Sequence, residues 1–182
     1  MRFRVLIWWR LEGIRIVDVR HEQTAAQAAE GYARLTGKLG VVAVTAGPGV
    51  TDAITGVATA DASGTPMLLL GGRHLVRQEL MGGLQEMDHP QLVRSITKWA
   101  GTGWQTERLA ETVATAVRHA HAGRGGPVFL DVPMDLQLDQ VDEEAVLFPS
   151  DSRPNRPTGA SPGVVAEIVD VLAAAERPLV FA

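Results

Sequence analysis

Apolar positions along the chain fall into short blocks whose spacing switches between strand-like and helix-like periods. Ile14 to Val19 is a β-branched, apolar block opened by Gly13, and it predicts a buried strand. From Glu22 to Leu35, Ala25, Ala26, Ala29, Tyr32 and Ala33 recur at near-helical spacing. Arg34 suits the negative end of that helix, and Gly37 is placed to stop it. Val41 to Thr45 predicts a second strand, and Thr51 to Ala62 a helix of small residues ended by Gly64 and Pro66. Met67 to Leu70 predicts a third strand, closed by Gly71-Gly72. Arg73 to Pro90 is irregular, and Ser95 to Trp99 predicts a short strand. Thr106 to Ala122 is amphipathic, with Leu109, Val113, Ala116, Val117 and Ala120 on one face. After the break Gly123 to Pro127, Val128 to Val132 predicts a strand stopped by Pro133.

Strands apolar on both faces that alternate with helices argue for an α/β fold: a mostly parallel sheet with helices on both faces. Composition then divides the chain. Residues 1–138 read as one domain, and residues 139–162, acidic and then rich in Pro, Ser and Asn, as a surface linker. Residues 163–182 read as the helix and opening strand of a second α/β domain, since neither element alone can bury its apolar face.

With 182 residues, 46% hydrophobic and 21% charged, the chain has enough apolar material for a real core. A net charge of −4 argues against a nucleic-acid or anionic-membrane partner. The absence of cysteine removes disulfides and thiolate chemistry. No apolar run approaches the roughly 18–20 residues of a membrane span. The block Val5 to Trp9, broken by Arg10 and Glu12, is too short for a signal peptide. A cytoplasmic setting is expected.

Candidate chemistry concentrates in three places. Glu22, at the mouth of the first helix, taken alone is a surface carboxylate complementing the helix dipole for roughly 0.3–1 kcal/mol. The turn Thr45-Ala-Gly-Pro-Gly-Val-Thr-Asp52 admits two readings, a phosphate cradle or a tight strand-to-helix turn. It matches neither common phosphate-loop pattern. Gly82 to Asp88, which contains Gln85, reads as a loop. His21 either shapes the surroundings of Glu22 or serves the turn. His119 and His121, two apart, do not share a helix face, and no metal site is read from the histidines.

Taken together, these pieces have an order: strand, Arg20-His21-Glu22, alanine-rich helix with Gly31-Tyr32-Ala33, strand, Gly47-Pro48-Gly49. The loop with Gln85, the run Ile96-Thr-Lys-Trp99 and the strand Gly125 to Asp135 follow. This order closely resembles the pyrimidine-binding domain of thiamine-diphosphate enzymes, a family that includes acetolactate synthase, 2-hydroxyacyl-CoA lyase and benzaldehyde lyase. The match covers about Gly13 to Asp142, and Pro162 to Ala182 as the opening of the family's middle domain.

The resemblance implies roles. The carboxylate matching Glu22 hydrogen-bonds the aminopyrimidine ring, favouring the imino tautomer that deprotonates the thiazolium carbon. Thr45, Gly47, Pro48 and Gly49 would line the aminopyrimidine. Asp52 stands where the family usually has Asn, and Gln85 would face the substrate. It also implies departures. Met1 to Glu12 do not resemble the family's first strand–helix unit, so the chain reads as cut at both ends. No Gly-Asp-Gly…Asn motif occurs, so Mg²⁺ would be held by a diphosphate domain outside this chain, and FAD use stays open. The implied partners are a small 2-oxo or 2-hydroxy carbonyl substrate and either a second copy in a homo-oligomer (a dimer) or a diphosphate-domain partner chain. The expected function is the thiamine-diphosphate-binding domain of an acetolactate synthase-like carboligase or lyase, inactive alone. The alternatives are a non-catalytic fragment or interaction subunit, and a nucleotide-binding α/β domain.

Overall fold

The computed structural model describes residues 13–151 and 159–179. Trp8 and Trp9, the segment Met1 to Glu12, and the end of the last expected strand (Val180 to Ala182) lie outside the described residues. Four strands form one sheet: β1 (Gly40–Val44), β2 (Met67–Arg73), β3 (Trp99–Thr102) and β4 (Pro127–Pro133). All pairs are parallel, and the order across the sheet is β1-β2-β4-β3. The helices are α1 (Glu22–Thr36), α2 (Pro48–Ser63), α3 (His89–Val93), α4 (Leu109–His121), α5 (Met134–Leu138) and α6 (Pro162–Ala174).

The two central strands set the architecture because both of their faces are apolar. Met67, Leu69 and Phe129 point to one side, where Ala26 and Ala29 of α1 and Val50, Ala53, Val57 and Ala60 of α2 cover them. Leu68, Val128 and Leu130 point to the other, under Ala116 and Ala120 of α4. The sheet is therefore clad on both faces, as the apolar pattern predicts. Burying Phe129 completely is worth about 1.5–3 kcal/mol.

Small residues let α1 lie directly on α2. A Cβ added to Gly56 would stand 2.4 Å from Ala26 Cβ, so only glycine admits this approach. Glu30, farther along α1, accepts a hydrogen bond from Thr65 Oγ1 at 3.3 Å, just past the end of α2. The contacts advance together along both helices, so α1 and α2 run in the same direction. Their N-termini share one end of the domain.

Three expectations are corrected. Ile14 to Val19 does not form a strand; the segment has no regular structure, and Ile14 and Val17 are exposed. A strand requires a neighbour for its backbone groups, and β1, the nearest edge, carries no partner on its outer side among the described residues. The expected strand Ser95 to Trp99 begins instead at Trp99, paired with Val128, after a 3₁₀ turn at Arg94–Ile96. The second helix starts at Pro48 rather than Thr51, with proline in the first turn where its missing N–H costs nothing.

Helix α6 is capped by Ser161 and has no buried residue. Val164, Val165, Ile168, Val169, Val171 and Leu172 are all exposed. No helix among the described residues is long and apolar enough to cross a membrane.

Candidate functional site

In open parallel sheets ligands bind beyond the carboxyl ends of the strands. At that edge β1 leads through Thr45 and Ala46 into the N-terminus of α2, and β2 leads into the irregular stretch 74–88. The two segments meet. Gly47 adopts φ 58° and ψ −112°, a backbone setting suited to glycine. A Cβ there would lie 2.9 Å from Gln85 Cβ and 3.3 Å from the Gln85 carbonyl oxygen. Gln85 itself has φ +60°, uncommon for a residue with a side chain. Such a setting costs of order 1–3 kcal/mol and persists only where the surroundings impose it. Here the glycine turn and the Gln85 loop are pressed backbone to backbone.

A buried polar chain holds them. The Gly47 N–H donates to His89 Nε2 at 2.9 Å. His89 Nδ1 meets Asp131 Oδ1 at 2.8 Å, and both side chains are fully buried. Since Nε2 accepts, the proton sits on Nδ1 and donates to Asp131, which fixes one neutral tautomer. Asp131 Oδ2 accepts from Arg73 Nη1 at 2.8 Å, and Arg73 Nη2 donates to Glu79 at 2.5 Å. Burial opposes the Arg73 charge, but the hydrogen bonds and attraction from Glu79 and Asp131 outweigh it and raise its pKa. The Arg73 hydrogen bond holds Glu79 below the ordinary carboxylate range. The backbone N–H of Gly83 does the same for Glu86.

The sequence-predicted residues fall as follows. Gly47 and Gly49 are buried in the turn, and Pro48, beside them, is exposed. Thr45 is exposed at the end of β1, its Cγ2 lying 2.7 Å from where a Gly49 Cβ would stand. Gln85 is half-buried against Gly47. Asp52 is exposed one turn into α2 and joins none of these contacts. Glu22 is the first residue of α1, half-buried, one turn ahead of Ala26, and so lies toward the end of the helix pair that begins with the Gly47 turn. Its carboxylate makes no hydrogen bond or ion pair among the described residues. His21 serves the turn: it caps α1, its Nδ1 accepting from Gln23 N–H at 3.1 Å.

The phosphate-cradle reading of the turn fails on its amides. Gly47 N–H is taken by His89, Pro48 has none, and Gly49 N–H goes to Ala46 O at 3.3 Å. The nitrogens of Val50 and Thr51 bond Gly47 O. From Gly47 to Thr51, therefore, no backbone amide is left over for an anion. A flat heteroaromatic ring with donors and acceptors on its edge fits better: glycine backbone for its face, a half-buried carboxylate without a protein partner for its edge.

His89, Asp131 and Arg73 are absent from the sequence reading, which gave Asp131 only a place in the fold. The signal was faint: the partners stand 42 and 58 residues apart.

The turn also yields a prediction. Gly47→Ala should destabilise the domain by about 1–3 kcal/mol, because a Cβ meets both an unfavourable φ/ψ and Gln85. Urea unfolding checks it, and a change within about 0.5 kcal/mol would show that the Gln85 loop gives way without cost.

Comparison with known proteins bears on this arrangement. Residues 9–92 match the family described as thiamine pyrophosphate enzyme, N-terminal TPP binding domain (thiamine pyrophosphate is another name for thiamine diphosphate). The chain is 36% identical over 200 residues to 2-hydroxyacyl-CoA lyase 2 of Mus musculus, across 92% of this chain and 32% of that protein. It is 36% identical over 173 residues to an acetolactate synthase large subunit of Mycobacterium tuberculosis, across 95% of this chain and 31% of that protein. With 2-hydroxyacyl-CoA lyase 2 of Bos taurus it shares 43% identity over 124 residues, 68% of this chain and 20% of that protein. The chain thus spans about a third or less of the length of these relatives. The matched segment, these relatives and the all-parallel sheet place the chain in one family: it belongs to the thiamine pyrophosphate enzymes, as an N-terminal TPP-binding domain of the acetolactate synthase and 2-hydroxyacyl-CoA lyase type.

Proposed function

We propose that this chain supplies one wall of a thiamine-diphosphate site in an acetolactate synthase-like carboligase or lyase acting on 2-oxo or 2-hydroxy carbonyl compounds. The observation that carries the reading is the braced turn: Gly47 locked against Gln85 and His89, at the end of the helix pair where Glu22 presents an unpaired, half-buried carboxylate. Bound thiamine diphosphate supplies a carbon nucleophile for making or breaking a bond next to a carbonyl.

In this reading the chain's own residues bind and orient. The backbone from Thr45 to Gly49 lies against the aminopyrimidine face. Glu22 shares a hydrogen with the ring edge. Gln85, held on its strained loop, faces the substrate. Asp52 is exposed and takes the weakest part. The residues present do not suit Mg²⁺ with a diphosphate: the amides from Gly47 to Thr51 are spent and these 182 residues hold no Gly-Asp-Gly…Asn motif, so that task falls to a diphosphate domain outside them. Residues 163–182 open the middle domain, which accounts for the uncovered apolar side chains of α6.

The test is complementation. The purified chain alone should give no carboligation, and co-expression with a chain carrying a diphosphate domain should restore thiamine-diphosphate-dependent pyruvate consumption. Turnover by the isolated chain would overturn the division of labour. Failure of thiamine diphosphate to bind the assembled pair would overturn the cofactor assignment.

A further inference from the structure

Beside the braced turn, three side chains that the proposed function does not use converge on one point. His74 follows β2, Glu79 ends the 3₁₀ turn Val76–Gln78, and Glu86 follows Gln85. His74 Nε2 lies 3.0 Å from Glu79 Oε2 and 3.8 Å from Glu86 Oε1. One ligand atom from each of the three lies within 4.8 Å of the others.

Glutamates near a histidine are common and do not make a site. The state of His74 is what sets this cluster apart. Its side chain is only 3% exposed, yet neither ring nitrogen has a hydrogen-bond partner. Glu79 Oε2 is close to Nε2 but off the line of its N–H, and that oxygen too is left without a hydrogen bond. Buried polar atoms are seldom left so. Two donors bound side by side to one ion at about 2.0–2.2 Å stand roughly 3 Å apart, each off the other's lone-pair axis. That is the relation between His74 and Glu79.

Charge agrees. Glu79 and Asp131 share the Arg73 guanidinium, and Glu86 pairs with no arginine or lysine among the described residues. With His74 bound as the neutral imidazole that metal ligation requires, two negative charges remain for a dication to balance. The carboxylates are already oriented: Glu86 accepts from Gly83 N–H at 2.7 Å and from Leu80 N–H, and Arg73 fixes Glu79. Such outer contacts preset ligand direction. Glu79, with a 36% exposed side chain, leaves a way in from solvent.

From this we infer that His74, Glu79 and Glu86 form a binding site for a divalent first-row metal ion such as Zn²⁺ or Mn²⁺, distinct from the family's Mg²⁺ site. One imidazole and two carboxylates suit these ions and leave positions for water. The ion ties the end of β2 to the loop that carries Gln85, so its role is to set that loop. The inference does not depend on thiamine diphosphate.

The test is equilibrium dialysis of the full chain, without a histidine tag, stripped by chelator and offered Zn²⁺ or Mn²⁺, with metal counted by elemental analysis. A single retained ion per chain is expected. His74→Gln and Glu86→Gln should each weaken binding by about tenfold or more, while His119→Gln, on the surface of α4, should not. Circular dichroism checks that each variant folds; if His74→Gln does not, Glu86→Gln decides. Co²⁺ should give a visible absorption band in the wild-type chain that is lost in the folded variants. Retention of neither ion, or binding undiminished in the folded variants, overturns the site.

Discussion

Glu22→Gln in the assembled enzyme should slow hydrogen–deuterium exchange at the thiazolium C2 of bound thiamine diphosphate by about 10²–10⁴-fold, the usual worth of a positioned proton-transfer group. The fold should persist. Glu22 is half-buried, forms no ion pair or hydrogen bond among the described residues, and occupies the first turn of α1, where an amide is tolerated. Losing the carboxylate forfeits only the attraction to the helix N-terminus, roughly 0.3–1 kcal/mol. The variant therefore separates two roles. A carboxylate kept for the helix would cost a little stability and nothing in exchange; one kept for the cofactor does the reverse. Exchange at the parental rate, with thiamine diphosphate bound, would remove Glu22 from the chemistry.

The same contrast explains what the sequence makes legible. β2 and β4 announce themselves because a strand buried on both faces is apolar at nearly every position, as in Met67 to Leu70 and Val128 to Leu130. Ile14 to Val19 is rich in β-branched residues but has no strand paired with it among the described residues, and composition does not report a missing partner. Trp99 to Thr102 is small and mixed, so its register comes from β4 rather than from its own pattern. The Gly47 turn and Gln85 are recognisable as short ordered motifs, but their mutual contact is not, since it depends on how the segments after β1 and β2 converge. The polar chain behind them is less visible still. His89 opens the short helix α3 just past an irregular stretch and Asp131 lies inside an otherwise apolar strand, and only the packed sheet brings them together. The central strands and the long helices are legible from local pattern; what arises from distant pairing is visible only in three dimensions.

Asp131 carries the second large expectation, and it concerns stability. Asp131→Ala should destabilise the domain by about 3–5 kcal/mol, the usual result of removing one member of a buried ion pair. Two losses act together. Arg73, nearly buried, keeps only Glu79 as its counter-charge, and His89 Nδ1–H loses its acceptor in a fully buried place. Asp131→Asn keeps the size and one acceptor, so it restores the partner of His89 but not the charge. It should fall between wild type and alanine. Against total stabilities of about 5–15 kcal/mol, the alanine variant would leave little margin, which urea midpoints and melting temperature report directly. A more local readout follows from the order of the bonds. Asp131 sets the His89 tautomer, and that tautomer accepts from Gly47. His89→Phe, which preserves the ring packed edge-on against Phe129 at 6.1 Å, should therefore raise amide exchange at Gly47 while leaving the centre of β2 protected. If exchange at Gly47 is unchanged in His89→Phe, the buried chain supports the sheet but not the turn, and the brace assigned to it is wrong. If Asp131→Ala melts with the wild type, the carboxylate is not the anchor that its burial makes it.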